Sequence, residues 1–168
     1  MKPPNYWVIA DTHFNHQMLI DKRYRPSNYN SALVFNIIGA MRKNDVLIHL
    51  GDVTFKPLPI WDTWLRGWDG VKYLTLGNHD KRGLAWYRAA GWDVACDSFT
   101  LKIYGKRILF SHIPQQVDNH DLNIHGHLHD DGHRSMDNEM QKIYSAKHIL
   151  VSMERTNYQP INLKDLVE

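Results

Sequence analysis

Five short apolar runs in this chain each stop at an aspartate, an asparagine or a histidine, and that arrangement narrows the folds open to it. Tyr6–Ala10 leads into Asp11 and His13, and Val46–Leu50 into Gly51-Asp52. Val71–Leu76 leads into Gly77-Asn78-His79-Asp80, the run through Phe110 into Ser111-His112, and Leu122–His125 into Gly126-His127-Leu128-His129. Short apolar runs bounded by turn residues read as buried strands. In α/β sheets, the loops beyond the carboxyl ends of strands are where ligands bind. Polar residues that merely cap strands account for one or two such loops. Five of them point to loops that converge on one rim.

Helical patterns separate the early runs. Ser31–Arg42, with Leu33, Phe35, Ile37, Ile38 and Met41, predicts a core-facing helix. Trp61–Trp68 predicts a second. Lys81–Ala90 predicts a third, ending at Gly91, where a left-handed C-cap fits. In the second half, Phe99–Tyr104 and Arg107–Ser111 read as a hairpin turning at Gly105-Lys106. Ile149–Val151 reads as another strand and Leu163–Val167 as one turn of helix. Early β-α-β units followed by an antiparallel-looking set predict a mixed α/β fold with two packed sheets between helices. There is no repeat, low-complexity tract or linker, so residues 1–168 are expected to form one domain, long enough to bury a core without staples.

Composition sharpens the functional reading. The chain has eleven histidines, and His125, His127 and His129 fall within five residues. Histidine is the side chain of metal ligation and of proton transfer near neutral pH. The single cysteine, Cys96, excludes an internal disulfide and a thiolate metal cluster, and fits a reducing compartment. Met1–Asn5 lacks the pattern of a signal peptide, and Tyr6–Ala10 is too short to span a bilayer, so a soluble cytoplasmic protein with no membrane partner is expected. A net charge of +2 without a long basic run argues against gripping a nucleic-acid backbone as the main task. A phosphate-bearing substrate needs only local positive charge.

Spacing supports a metal site. In extended backbone both members of Asp11-x-His13, and of His127-x-His129, face the same side. Glycines before Asp52, Asn78 and His127 permit tight turns and close approach of backbone. Carboxylate, imidazole and amide oxygen suit Mn, Fe, Zn, Co or Ni better than a soft metal or Mg alone. His16 and Arg25 are candidates to reach a substrate phosphate. His49 and His125 are expected to be structural, and His120, His133 and His148 to lie on the surface. The six tryptophans read as packing residues; Arg82 and Arg134, just after the motifs, are open to contact with an anionic substrate or to a role in solubility, and neither is taken as a site residue.

Taken in order over residues 11 to 129, Asp-x-His, Gly-Asp, Gly-Asn-His-Asp, a lone His and Gly-His-x-His resemble the calcineurin-like metallophosphoesterase superfamily. The run Asp11-Thr-His-Phe-Asn-His16, the pair Arg25-Pro26 and the tail Glu154-Arg-Thr-Asn-Tyr-Gln-Pro160 are similar to a group of small stand-alone bacterial and phage phosphoesterases. The resemblance implies a four-layer α/β/β/α sandwich of two mixed sheets flanked by helices. It implies two metal ions, manganese foremost, with Fe, Zn, Ni or Co as alternatives. Asp11, His13, Asp52 and His129 would hold the first ion, and Asp52, Asn78, His112 and His127 the second. Asp52 would bridge with one oxygen to each. His79, not a ligand, would act catalytically on the leaving oxygen. The implied activity is hydrolysis of a phosphomonoester or phosphodiester by metal-activated water, with nucleotides among the substrates to be considered.

One departure from the superfamily stands out. Its serine/threonine phosphatases continue Gly-Asp with Asp and Arg, which orient the catalytic histidine and hold phosphate. Here Val53-Thr54-Phe55-Lys56 follows, so a protein phosphatase is not expected, and the group that orients His79 is left open. Two other readings stand beside the enzyme: a non-catalytic binding module on the same fold, and a nuclease-type phosphodiesterase. The complete ligand set with His79 favours catalysis over the first. A chain of 168 residues leaves little room for the capping segments of the second.

Overall fold

The computed structural model describes residues 3–129 and 136–168. Along the chain come β1 (Tyr6–Ile9), α1 (Gln17–Asp21), α2 (Tyr29–Ala40), β2 (Val46–His49), α3 (Pro59–Gly67), β3 (Val71–Thr75), α4 (Leu84–Ala89) and β4 (Val94–Cys96). There follow β5 (Ser98–Ile103), β6 (Lys106–Ser111), β7 (Leu122–His125), α5 (Asn138–Ile143), β8 (His148–Leu150), β9 (Ile161–Asn162) and α6 (Leu163–Val167). One sheet has the order β4-β3-β2-β1-β9 and the other β5-β6-β7-β8. In the first, β1 to β4 run parallel and β9 antiparallel. Helices α2, α3 and α4 make the crossovers between parallel neighbours. Every residue of β2 is buried, as expected for a central strand covered on both faces.

The sheets meet through aromatic rings. Tyr73 of β3 stacks on Phe99 of β5 with centroids 5.0 Å apart, and Phe99 stacks on Phe110 of β6, also at 5.0 Å. Val8, Ile9, Leu47, Ile48, Phe110, Ile124 and Val151 join one buried cluster drawn from both sheets. The expected pair of mixed sheets with flanking helices is therefore what forms.

Details depart from the sequence reading for identifiable reasons. Only β5 and β6 are antiparallel in the second sheet; β6, β7 and β8 run parallel. The hairpin turns at Tyr104 and Gly105, one residue earlier than expected, and both have positive φ, as a type I′ turn demands. In α2 the buried stripe is Tyr29, Leu33 and Ile37, four residues apart, which leaves Phe35 on the opposite side and 78% exposed. His148, expected on the surface, is buried, with Nε2 2.9 Å from the Gln115 carbonyl. His133 and Arg134 lie outside the described residues. Among the described residues no helix is long and apolar enough to cross a membrane.

His49, at the end of β2, ties the sheet to the loops beyond it. Its Nδ1 accepts the Gly51 N–H at 3.1 Å, and its Nε2 lies 2.9 Å from Thr12 Oγ1. The Thr12 hydroxyl donates its own proton to the Val53 carbonyl, so His49 Nε2 must be the donor of that pair. The ring is therefore neutral with both nitrogens occupied. Burial, with a smaller contribution from His112, pushes its pKa from 6.5 down to about 3. Above pH 6.5 the ring is uncharged in native and unfolded chains alike. Below it only the unfolded chain takes the proton, so stability falls as pH drops, by about 1.4 kcal/mol per unit until the native ring also titrates. Urea unfolding at pH 6.5 and pH 5 checks this: the loss should be about 2 kcal/mol smaller in His49→Gln than in the parent. Equal losses would refute it.

Candidate metal centre

The loops after β1 and β2 are zipped together by backbone. Asp11 N–H donates to the Gly51 carbonyl at 2.9 Å, His13 N–H to the Asp52 carbonyl at 2.9 Å, and Phe14 N–H to the Val53 carbonyl at 3.0 Å. Asp11, His13, Asp52 and His127 all have positive φ, between 44° and 69°. Such left-handed conformations in non-glycine residues cost of order 1–3 kcal/mol each and cluster at functional sites. The Asp11-x-His13 pair thus converges through a turn, not through the extended backbone expected from its spacing. Gly126 matters by proximity: a Cβ there would stand 2.5 Å from Asp11 Oδ2, the oxygen that accepts the His127 N–H at 2.9 Å.

Two overlapping groups of donor atoms result. In the first, His13 Nε2 lies 3.3 Å from His129 Nε2, and Asp11 Oδ1 lies 3.5 Å from His129 Nε2 and 3.9 Å from His13 Nε2. In the second, His112 Nε2 lies 3.1 Å from both Asn78 Oδ1 and His127 Nδ1. Asp52 Oδ2 joins them, 3.5 Å from His13 Nε2 and 3.6 Å from His112 Nε2. Donors that share an ion at about 2.1 Å stand roughly 3–3.5 Å apart, so these separations fit metal ligation. Asp11 Oδ1 is buried without a hydrogen bond among the described residues, an arrangement that a cation would relieve. Asp52 differs from the expected division of its oxygens. Its Oδ1 accepts the His79 N–H at 2.8 Å, leaving Oδ2 alone to face both groups.

A second layer fixes the rings. His112 Nδ1 lies 2.7 Å from the Leu50 carbonyl, which can only accept, so the proton sits there and Nε2 presents its lone pair to the centre. His129 Nδ1 lies 3.4 Å from Glu154 Oε1, a carboxylate that likewise accepts. Glu154 also receives Arg25 Nε at 2.7 Å and Nη2 at 2.6 Å on Oε1, and the Ser152 hydroxyl at 2.9 Å on Oε2. Arg25, expected near substrate phosphate, is only 2% exposed. Its Nη1 and Nη2 donate to the carbonyls of Thr12 and Asp11 at 2.9 and 2.8 Å. With its guanidinium held this way, it braces the Asp11–His13 loop and does not open onto a substrate. Asp80 accepts N–H groups from Asp52, Gly77 and Val53 at 2.6, 2.9 and 3.2 Å, so it fastens two loops and does not orient His79.

Charge in the site follows from burial. Burial raises the Asp11 carboxyl, against the opposing pull of His112 and His129. Burial, reinforced by His129 and Arg25, holds His13 well below its usual range, so its ring is neutral and available as a ligand. Burial would lower His129, but the Glu154 hydrogen bond and the Asp11 charge raise it, so a proton and a cation would compete there. Burial would raise Glu154, yet the His129 hydrogen bond and the Arg25 guanidinium hold it well below the carboxylate range.

His79 stands at the lip, its side chain 33% exposed and its Nε2 4.0 Å from Asp52 Oδ2. Its ring has no hydrogen-bond partner among the described residues; rings of His13 and Phe55 flank it at 5.4 and 5.5 Å. Phe55 also stacks on His16 at 3.9 Å, which places His16 beside His79. The sequence reading missed Glu154 as a partner of the site. Its position in the tail carried no spacing signal, because the contact with His129 spans 25 residues.

Comparison with known proteins gives the family and the fold. An uncharacterized protein of Methanocaldococcus jannaschii, MJ1445, is 28% identical over 174 residues, covering 96% of this chain and 89% of that protein. The crystal structure of a protein of unknown function from Aquifex aeolicus, AQ665, superposes with a TM-score of 0.77 at 25% identity, covering 96% of this chain and 97% of that one. An archaeal phosphodiesterase superposes more loosely, with a TM-score of 0.46 at 18% identity, over 88% of this chain and 82% of that one. Residues 4–157 match the sequence model of the calcineurin-like phosphoesterases, and the chain belongs to that family.

Proposed function

We propose that this chain is a metal-dependent hydrolase that cleaves a phosphomonoester or phosphodiester at a dinuclear centre. The observation that carries the proposal is the position of Asp52 Oδ2. One buried carboxylate oxygen faces His13, His112 and His79 at 3.5, 3.6 and 4.0 Å, where the two donor groups meet. Asp11, His13, Asp52 and His129 would hold one ion, and Asp52, Asn78, His112 and His127 the other, with manganese the leading choice. Two bound cations supply charge that binds phosphoryl oxygens and acidifies water.

The remaining chemistry belongs to the chain. Asp52, through Oδ1, fixes the backbone of His79 and so the point from which its imidazole projects. His79, partly open to solvent, would give a proton to the departing oxygen. Phe55 and Lys56 occupy the position of the phosphatase Asp-Arg pair. Flanking rings therefore limit the motion of His79, where a carboxylate would otherwise hold it. Arg25 and Glu154 keep the first donor group in register. His16, stacked on Phe55 beside His79, stays a candidate for substrate contact, whereas Arg25 is reassigned to bracing.

Release of p-nitrophenol from mono- and diester substrates with Mn²⁺ or Ni²⁺ tests the reading. His79→Ala should lower kcat by about 100–10,000-fold with metal content unchanged. Asp52→Asn should abolish turnover. Full activity in either variant would overturn the assigned roles. Glu154→Gln should weaken metal affinity by about 10–100-fold, measured by calorimetry on chelator-treated protein. Unchanged affinity would leave Glu154 with only a packing role.

A further inference from the structure

A cleft of ≈ 480 Å³ opens directly beside His79, with His79 and Asp80 in its wall. Its volume lies in the range of small-ligand sites. Buried Trp61, Tyr87 and Trp92 line its floor, and Phe55 and Trp86 stand at its mouth 48% and 47% exposed. Lys56, Lys81 and Arg82 border it, and among the described residues none has a carboxylate within ion-pair distance. The two acids in the wall are already engaged: Asp80 holds three backbone N–H groups, and Asp62 faces the charge of Arg66. Arg82 lies with its guanidinium carbon 5.8 Å from the Trp86 ring centroid, so cation and open ring form one surface.

A half-exposed tryptophan next to three cations without an ion-pair partner among the described residues has a specific chemical complement. It suits a ligand that combines a flat π-system with negative charge. Aliphatic phosphoesters lack the first, and neutral aromatics the second. Position decides which part of a substrate would enter: His79, the proposed donor to the leaving oxygen, is in the cleft wall, and none of the seven proposed metal ligands is.

Resting on the phosphoesterase reading above, we infer that this cleft receives the leaving group, and that the leaving group is a nucleotide. The scissile phosphate sits at the metal centre, and the departing nucleoside stacks its base on Trp86 and Phe55. A further phosphate on that nucleoside meets Lys56, Lys81 and Arg82. In the reaction, water adds its oxygen to phosphorus, the P–O bond to the nucleotide breaks, and His79 protonates the released oxygen. The products are inorganic phosphate, or a phosphomonoester, and a free nucleotide alcohol.

The test separates the cleft from the chemistry. Calorimetry on chelator-treated protein titrated with adenosine 5′-monophosphate, adenosine and ribose 5-phosphate reads the cleft without metal. The nucleotide should bind at least about tenfold tighter than either half, and Trp86→Ala should remove about tenfold. Arg82→Gln should weaken the nucleotide but not adenosine. With Mn²⁺, adenosine 3′,5′-bisphosphate should exceed glycerol 2-phosphate in kcat/KM, and that ratio should collapse in Trp86→Ala. Turnover of glycerol 2-phosphate without preferential nucleotide binding would overturn this inference and leave the phosphoesterase reading standing. Nucleotide binding without any phosphoester turnover would overturn the leaving-group role together with that reading. Circular dichroism on each variant excludes unfolding as the cause.

Discussion

The carboxylate of Asp52 is the constraint on which the rest of the site depends. Its backbone N–H is held by Asp80, its carbonyl accepts the His13 N–H, and its Oδ1 accepts the His79 N–H. Three loops are thereby fixed to one residue. What is left over is a single oxygen in a buried space among imidazoles. A buried carboxylate without compensating charge is costly, and imidazole lone pairs directed inward do not supply it. A cation does. The same reasoning applies to Asp11 Oδ1, which lacks even a hydrogen bond among the described residues.

Around this centre the protein places groups that hold the donors still. Arg25 reaches from the segment after α1 to the Asp11 and Thr12 carbonyls, and Glu154 joins that guanidinium to the His129 ring. His49 does similar work under the sheet edge, where its neutral ring links Thr12 to Gly51. The left-handed residues Asp11, His13, Asp52 and His127 persist because these contacts over-determine the loops. Rigidity here lies in hydrogen bonds to backbone, so conservative changes in the second layer should act through metal affinity before they act through folding.

The elements legible in the sequence were those with strong local signals. Leu122–His125 and Leu163–Val167 form with the bounds their patterns suggest, and the first three strands differ by one residue at the end. The elements not foreseen are α1, β4, α5 and β9. All are short, with too few residues for a period to show, and β9 exists only because β1 offers it an edge. Phe35 shows the opposite failure: an apolar residue inside a helical window looked like core, but helical geometry put it opposite the buried stripe. Trp86 is likewise an aromatic that composition assigned to packing and the fold left half-exposed.

The sequence by itself determined the chemistry on offer: seven donor side chains and one further histidine, in a fixed order, each directly after a strand. Residue type decides what can bind a cation, and a strand followed by a glycine turn is a local property, so both can be read from the chain. Only the tertiary structure decided how those donors share the space. It gave Asp52 a single free oxygen, turned Arg25 inward onto Glu154, set Asp80 under the loops, and opened a cationic aromatic cleft beside His79. Those outcomes depend on contacts between residues as far apart as Arg25 and Glu154, 129 positions along the chain, and no local pattern encodes a meeting at that separation.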